Sequence, residues 1–439
     1  MLEFVKTHIA FLLIFILWVL TGIYFTPLSL IIVVVSFFLF IKKEFYQELV
    51  IGFLGLLFLS DSYYLGFAKE VKPYVLFLVG FYFIYRAKNF RPLTRIYMPF
   101  IFFFALVFIL LIRNPTPWIS FQKIISYFFL YLTLPSYFFY VFREKGHKFF
   151  LDMFNFINLL LLSGFLMFFI DKEVAISHGN RYRGIMGNPN DIGMFNVVMF
   201  ILYYTINDYF KGLFSKRDKL FTYVLNLSTV IWSGSRTAMI CIAIFLLSKR
   251  TQKISPFLTV LVFIIIALAY TLIMDNMVLI AHAFGLDSYL RLDTIKEGSG
   301  RIHAWRFAWK HIQDNFFIGK GWDYNQYLFS LKETRLLLNP LNHEGDVHNI
   351  YLGFWLDTGL VGVILFFSAL FYVFYQASRR THLAFPALLS LLFMGMYEPW
   401  LIASMNPYTI MMLFILTVMI YCKPGVGDNP DWNNQLVTS

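Results

Sequence analysis

Charge is scarce in this chain, and so is cysteine. Lysine, arginine, aspartate and glutamate together supply 14% of its 439 residues, where soluble domains carry about 25%. That shortage excludes an ordinary soluble domain and leaves a polytopic membrane protein. The two cysteines, Cys241 and Cys422, each lie in or beside an apolar run. Thiols so placed argue against a disulfide framework and against a thiolate metal site. No small-x-small cleavage signal follows Lys6 and the apolar stretch from Ile9, so the first helix is expected to remain. No tandem repeat is evident.

What replaces charge is apolar bulk. Aromatics alone reach 21%, enough to fill helix–helix contacts as well as interfacial belts. Fourteen apolar runs are candidate spans: 8–23, 26–41, 47–61, 73–86, 97–112, 120–142, 149–170, 191–210, 220–233, 237–248, 256–274, 349–374, 383–402 and 405–421. Several fall short of the roughly 20 residues that a straight crossing needs. The expected fold class is an all-α polytopic membrane protein of about 12–14 transmembrane helices with one long periplasmic loop.

Loop charge sets the orientation. With the N-terminus inside, alternate short loops carry Lys42 and Lys43, then Arg86, Lys88, Arg91 and Arg95, then Arg143, Lys145 and Lys148. Lys211, Lys216, Arg217 and Lys219 follow, then Lys249, Arg250 and Lys253, then Arg379 and Arg380. With Lys6 and Lys423 in the tails, these make 20 of the 36 lysines and arginines. The opposite short loops hold Lys69, Lys72 and Arg113, with Lys123 just inside the next span. The bias puts both termini in the cytoplasm and accounts for the net charge of +11 without nucleic acid. The expected organisation is an N-terminal bundle 1–170, further spans in 171–274, an external loop 275–347, C-terminal helices 348–421 and a cytoplasmic tail 422–439. Residues 424–439 are expected to be disordered.

External basic residues are not explained by orientation. Arg236 stands in Ser233-Gly234-Ser235-Arg236, between two spans. A guanidinium there either snorkels or holds a phosphate beside a helix N-terminus, with Ser235 as the cap. Arg181 and Arg183 precede Gly187-Asn188-Pro189-Asn190-Asp191. Asn190 or Asp191 reads as a helix cap, and the arginines as a candidate anion site. In the long loop, Ile302, Trp305, Ala308, Trp309 and Ile312 share a helical face. Such a helix packs the loop onto the bundle or lies on the membrane surface. Arg301 heads it, where the helix dipole disfavours a cation, so a local partner or ligand is expected. The loop holds eight basic residues against nine acidic ones, so any anion binding is local.

His348 opens a span, with Glu344 and Asp346 near enough to orient it and His343 five residues earlier. A histidine so placed is a structural residue or a base for a hydroxyl proton. Glu398, in Met396-Tyr397-Glu398-Pro399-Trp400, is an ionisable group inside an apolar run, which points to function or a buried pair.

In this order the features resemble the bacterial O-antigen ligase and O-antigen polymerase superfamily, over roughly residues 180–375. The resemblance rests on Gly187-Asn188-Pro189-Asn190, Ser233-Gly234-Ser235-Arg236, Gly300-Arg301 followed by Trp305 and Trp309, and Ile318-Gly319-Lys320-Gly321. Most specific is His348-Asn349, nine residues, Gly359, two residues and Gly362. It implies a metal-independent glycosyl transfer, without cofactor, at the periplasmic face of the bacterial inner membrane. The donor it implies is a glycan on undecaprenyl diphosphate. The acceptor is a second lipid-linked repeat in a polymerase and lipid A-core in a ligase; a chain-length regulator is a compatible partner. By resemblance Arg236 and Arg301 bind the diphosphate and His348 activates the acceptor hydroxyl. Arg181, Arg183, Asn190 and Asn349 are the substrate-binding candidates. Ligases often carry leucine four residues after the junction arginine; Ile240 stands there, which tilts the reading to a polymerase. A flippase for the same glycans is the more distant alternative, and it would not need an outer loop ending in a reactive side chain.

Overall fold

The computed structural model describes residues 1–62, 64–86, 94–177, 180–269, 301–339, 345–402 and 405–422. Lys88, Arg91, the stretch from Asp275 to Gly300, His343, Glu344 and the tail from Lys423 lie outside the described residues.

Apolar runs this long become helices because lipid offers the backbone no hydrogen-bond partner. The first half holds Leu2–Thr7 (α1), Ile9–Tyr24 (α2), Thr26–Lys42 (α3), Tyr46–Ser60 (α4), Gly66–Arg86 (α5), Thr94–Tyr97 (α6) and Phe100–Ile109 (α7), which a 3-10 turn Leu110–Arg113 extends. Pro117–Leu132 (α8), Leu134–Lys145 (α9) and Lys148–Ile170 (α10) complete it. Lys172–Ala175 (α11) leads to a hairpin of Ile176–Ser177 (β1) and Arg181–Tyr182 (β2). Then come Pro189–Tyr209 (α12), Lys216–Ser233 (α13), Arg236–Gln252 (α14) and Pro256–Leu268 (α15). Arg301–Asp314 (α16), Tyr324–Ser330 (α17), Lys332–Leu338 (α18), Ile350–Ser378 (α19), Ala384–Tyr397 (α20) and Pro407–Tyr421 (α21) follow. Among the described residues, Pro117–Lys145, α10 and α19 are long and apolar enough to cross a membrane, beside seven shorter apolar helices. This is an all-α polytopic membrane architecture.

The expected spans lie on these helices, and most ends agree to within a few residues. Runs 220–233 and 237–248 are two helices, α13 and α14, because Gly234 turns the chain between them at φ 60°. Helix α20 stops at Tyr397, short of the expected 402. Glu398 precedes Pro399, and the residue before proline is pushed to extended backbone; its φ and ψ are −138° and 139°.

Helix α5 begins at Gly66 and so carries Lys69 and Lys72, which the sequence reading placed in a loop. Lys72 Nζ donates to Ser60 Oγ at 3.1 Å and to the Met405 carbonyl at 2.9 Å, and it feels the charge of Asp61. Lys123, another lysine against the orientation bias, pairs with Asp323, while Lys69 is exposed. Lys72 and Lys123 are therefore internally engaged cations, not loop charges.

Helix α21 is buried at every residue from Pro407 to Ile420. A helix apolar all round belongs in the middle of a bundle, and α21 packs on α4, α9, α12 and α19. Rings fill the gaps: Phe138 stacks on Phe414 with centroids 3.9 Å apart. Helix α20 is clasped between α14 and α19. A smaller core of Ala304, Ala308, Ile312, Leu328, Phe329 and Val347 seats α16 to α18 on the start of α19. The buried face of α16 thus runs through Ala304, Ala308 and Ile312, while Ile302 and Trp309 are each 40% exposed. The reason is proximity, since alanines let the helix approach closely where larger side chains would hold it off.

Helix α19 is broken at Gly359, with φ 70° and ψ −179°. At the break, Leu360 and Val361 donate their N–H groups to the Phe316 and Phe317 carbonyls at 2.9 and 3.2 Å. Buried Asp357 accepts from the backbone of Asp323 at 3.1 Å and Asn325 at 2.6 Å. The 316–325 segment is thereby bolted to α19 just beyond His348.

Candidate functional site

His348 sits in a backbone conformation that side chains rarely adopt, with φ 45°. Such strain persists only where the surroundings fix it. Three contacts do so here. The His348 N–H donates to Asp346 Oδ1 at 2.6 Å. Trp305 Nε1 of α16 donates to the Val347 carbonyl at 2.9 Å. Asn349 caps α19 by accepting from Leu352 N at 3.0 Å, and its Nδ2 donates to the Met396 carbonyl at 3.1 Å. The imidazole Nδ1 lies 3.5 Å from Asp346 Oδ1 and 4.0 Å from Glu398 Oε2.

Arg301, the first residue of α16, donates from Nη2 to Glu398 Oε1 at 2.9 Å. This is the local partner that its position against the helix dipole demanded. Glu398 is 3% exposed, and a carboxylate buried so far needs a cation. His348 and Arg301 therefore meet on opposite oxygens of one carboxylate.

Arg236 opens α14 directly after Ser235, which stands at the cap position without a side-chain cap bond. Ser390 Oγ of α20 donates to the Cys241 carbonyl of α14 at 2.8 Å. His382, just ahead of α20, is within electrostatic reach of Lys249 and Lys253 at the far end of α14, and Cys241 is within reach of Glu398. The helices therefore run antiparallel, and the Arg236 end of α14 lies at the Glu398 end of α20.

Arg181 is only 8% exposed. Its Nε donates to the Ser233 carbonyl and its Nη2 to Asn190 Oδ1, both at 2.7 Å. It thus ties the junction ahead of Arg236 to the start of α12. Asn188, not Asn190 or Asp191, caps α12, accepting from Asn190 N at 2.8 Å. Arg183 is turned away from this group: its guanidinium donates to the carbonyls of Val174, Gly187 and Glu173 at 2.9, 3.1 and 2.9 Å.

Residues that sequence reasoning passed over complete this end of the bundle. Asp61 accepts from the Tyr408 hydroxyl at 3.0 Å, and its carbonyl accepts from Gly187 N at 2.7 Å. Burial pushes the Asp61 carboxyl up, against Lys72 and the Tyr408 hydroxyl, which favour its charged form. Asp191 lies within electrostatic reach of Asp61, Glu398 and Asp346, joining this group to the His348 loop. The available signal was Lys72, a cation at the head of an apolar run against the orientation bias.

Residues 221–367 match the O-antigen ligase family. The match is narrower than the stretch read from the sequence; it contains Arg236, Arg301, His348 and the glycines at 359 and 362, and leaves out Arg181, Asn190 and Glu398. No curated protein matches the chain.

Proposed function

We propose, from the match of residues 221–367 to the O-antigen ligase family, that this protein is a membrane glycosyltransferase that polymerises lipid-linked surface-polysaccharide repeats. The observation that carries the reading is the meeting of His348 and Arg301 on buried Glu398. The donor is a glycan on undecaprenyl diphosphate, and the acceptor is a hydroxyl of a second lipid-linked repeat. His348 takes the hydroxyl proton as its oxygen bonds to the anomeric carbon. The anomeric C–O bond breaks and its electron pair leaves with the diphosphate. Arg301 and Arg236 stabilise the charge that gathers there. Asn349 and Asn190 hold their loops at the site's edge, and Arg181 carries the frame of the Arg236 turn. The site faces the periplasm of the inner membrane, and the transfer uses no metal.

A second reading, transfer of the glycan to lipid A-core, is favoured by the ligase description of the matched family. The Ile240 departure favours polymerisation. Purified protein in nanodiscs, given the lipid-linked repeat with either acceptor, decides between them. His348→Ala should lower turnover at least about 100-fold, and EDTA should leave the wild-type rate unchanged. Wild-type turnover by His348→Ala would end the assignment of a base, and loss of activity in EDTA would end metal independence.

A further inference from the structure

Glu398 lies outside the matched segment, yet the proposed base and one of the two proposed diphosphate arginines meet on it. Its Oε1 holds Arg301 at 2.9 Å and its Oε2 stands 4.0 Å from His348 Nδ1. The contact with Arg301 is a direct hydrogen bond; the gap to His348 exceeds the roughly 3.2 Å of one. A carboxylate and a phosphate compete for the same guanidinium edge. Glu398 engages Nη2 alone, so a donor diphosphate that takes a bidentate grip through Nη2 displaces it.

We propose, resting on the transfer reading above, that Glu398 is a positioning residue that guards Arg301 until the diphosphate displaces it and then swings its carboxylate onto His348. A carboxylate at Nδ1 fixes the tautomer in which Nε2 accepts a proton. The base is thereby set only when the leaving group is in place. The groups around this carboxylate are Arg301 from α16, His348 and Asp346 from the loop before α19, Asp191 from α12, Cys241 from α14 and Tyr408 from α21. Asp346, already 3.5 Å from Nδ1, is the rival orienting group.

The guard gives an unusual signature. Removing its charge opens Arg301, so an anion binds more tightly, because apparent affinity scales with the fraction of protein whose site is open. The same change deprives His348 of its orienting carboxylate, so turnover falls. The full chain in nanodiscs is titrated with inorganic pyrophosphate and, separately, assayed for turnover. Glu398→Gln should tighten pyrophosphate binding several-fold and lower kcat by about tenfold or more. Glu398→Asp keeps the charge on a shorter arm; it should hold wild-type affinity while kcat stays low. Asp346→Asn should leave affinity unchanged.

Unchanged or weaker binding in Glu398→Gln, or an unchanged kcat, overturns the proposal. So does tightening in Asp346→Asn as large as in Glu398→Gln, which would mark a general field effect. If Glu398→Gln does not fold, Glu398→Asp decides: wild-type kcat there overturns it. Failure of the transfer reading itself looks different, as full transfer by His348→Ala or wild-type pyrophosphate affinity in Arg301→Ala.

Discussion

Arg181 and Arg183 show how far a residue's type reaches and where it stops. Two external arginines beside an Asn-Pro-Asn turn read as an anion site. In the fold, Arg183 is spent on three carbonyls of its own loop. Arg181 spans Ser233 and Asn190, and no sequence pattern announces a carbonyl 52 positions away. Arg301 was legible because its place at a helix start is unfavourable without a partner, and that partner is Glu398. The strained backbone of His348 was not legible, since φ depends on how α16 and the Asp346 loop clamp it. Arg181→Ala should cost about 2–3 kcal/mol, the worth of charged hydrogen bonds in a buried place. Arg181→Lys should not restore it, because one ammonium cannot span both acceptors in the plane of a fork. The check is the thermal midpoint in detergent beside KM. A raised KM with an unmoved midpoint would instead make Arg181 a donor-binding residue.

At the scale of the element, length and apolarity were enough to place the spans, because lipid permits only the helix there. Helices α17 and α18 were not read, since seven-residue helices carry too little periodicity. The pair Gly359 and Gly362 was read as a family motif, and the structure supplies its physics. Gly359 holds a backbone conformation nearly reserved for glycine, and a Cβ there would strike the Phe317–Ile318 backbone. A Cβ at Gly362 would strike Thr358 at its Oγ1 and Cβ, a buried β-branched side chain whose hydroxyl donates to the Phe354 carbonyl at 2.7 Å. Gly359→Ala should therefore cost about 1–3 kcal/mol from the backbone alone and undock the 316–319 segment. Gly362→Ala adds no left-handed backbone strain but forces Thr358 aside, so it should destabilise α19 while leaving the 316–319 segment docked. Amide exchange at Leu360 and Val361, whose N–H groups Phe316 and Phe317 hold, measures the undocking. Equal protection in Gly359→Ala and wild type would show that the segment does not depend on the break.

The whole molecule has two polar ends with different chemistry. The end opposite His348 is closed by His8, at 3.2 Å from both Glu48 of α4 and Asp152 of α10. Gln47 adds a bond to Asp152 at 2.8 Å. Bonding to Asp152 and then Glu48 raises the His8 imidazole to about 9. A folded value above the free value of about 6.5 means that protons favour the fold. The stabilisation is complete below about pH 6.5 and is lost as pH rises through about 9. The thermal midpoint of the wild type should fall across that window, and the gap to His8→Ala should close by its upper edge. A gap of constant size from pH 6 to pH 10 would show that His8 contributes packing and not charge.

Orientation also belongs to the whole molecule, and the expectation for it rests on counting loop charge. The count was weakened by Lys69 and Lys72, with Arg113 and Lys123 also on that side, and a sum over residues cannot tell that Lys72 and Lys123 are engaged inside the bundle. With those two assigned to Asp61 and Asp323, the bias is cleaner than the sequence alone allows. Lys332 heads α18 and is exposed, on the small core that seats α16 to α18 beside His348. Lys211 is exposed in the loop after α12. That loop follows from the α12 end opposite Asn190, so the two lysines mark opposite faces. Both native thiols, Cys241 and Cys422, are buried, so an introduced cysteine reports with little background. A membrane-impermeant maleimide applied to intact cells should modify Lys332→Cys. Lys211→Cys should react only after permeabilisation. The reverse pattern would put His348 and Arg301 on the cytoplasmic side, away from any periplasmic acceptor, and the proposed transfer would fall with the orientation.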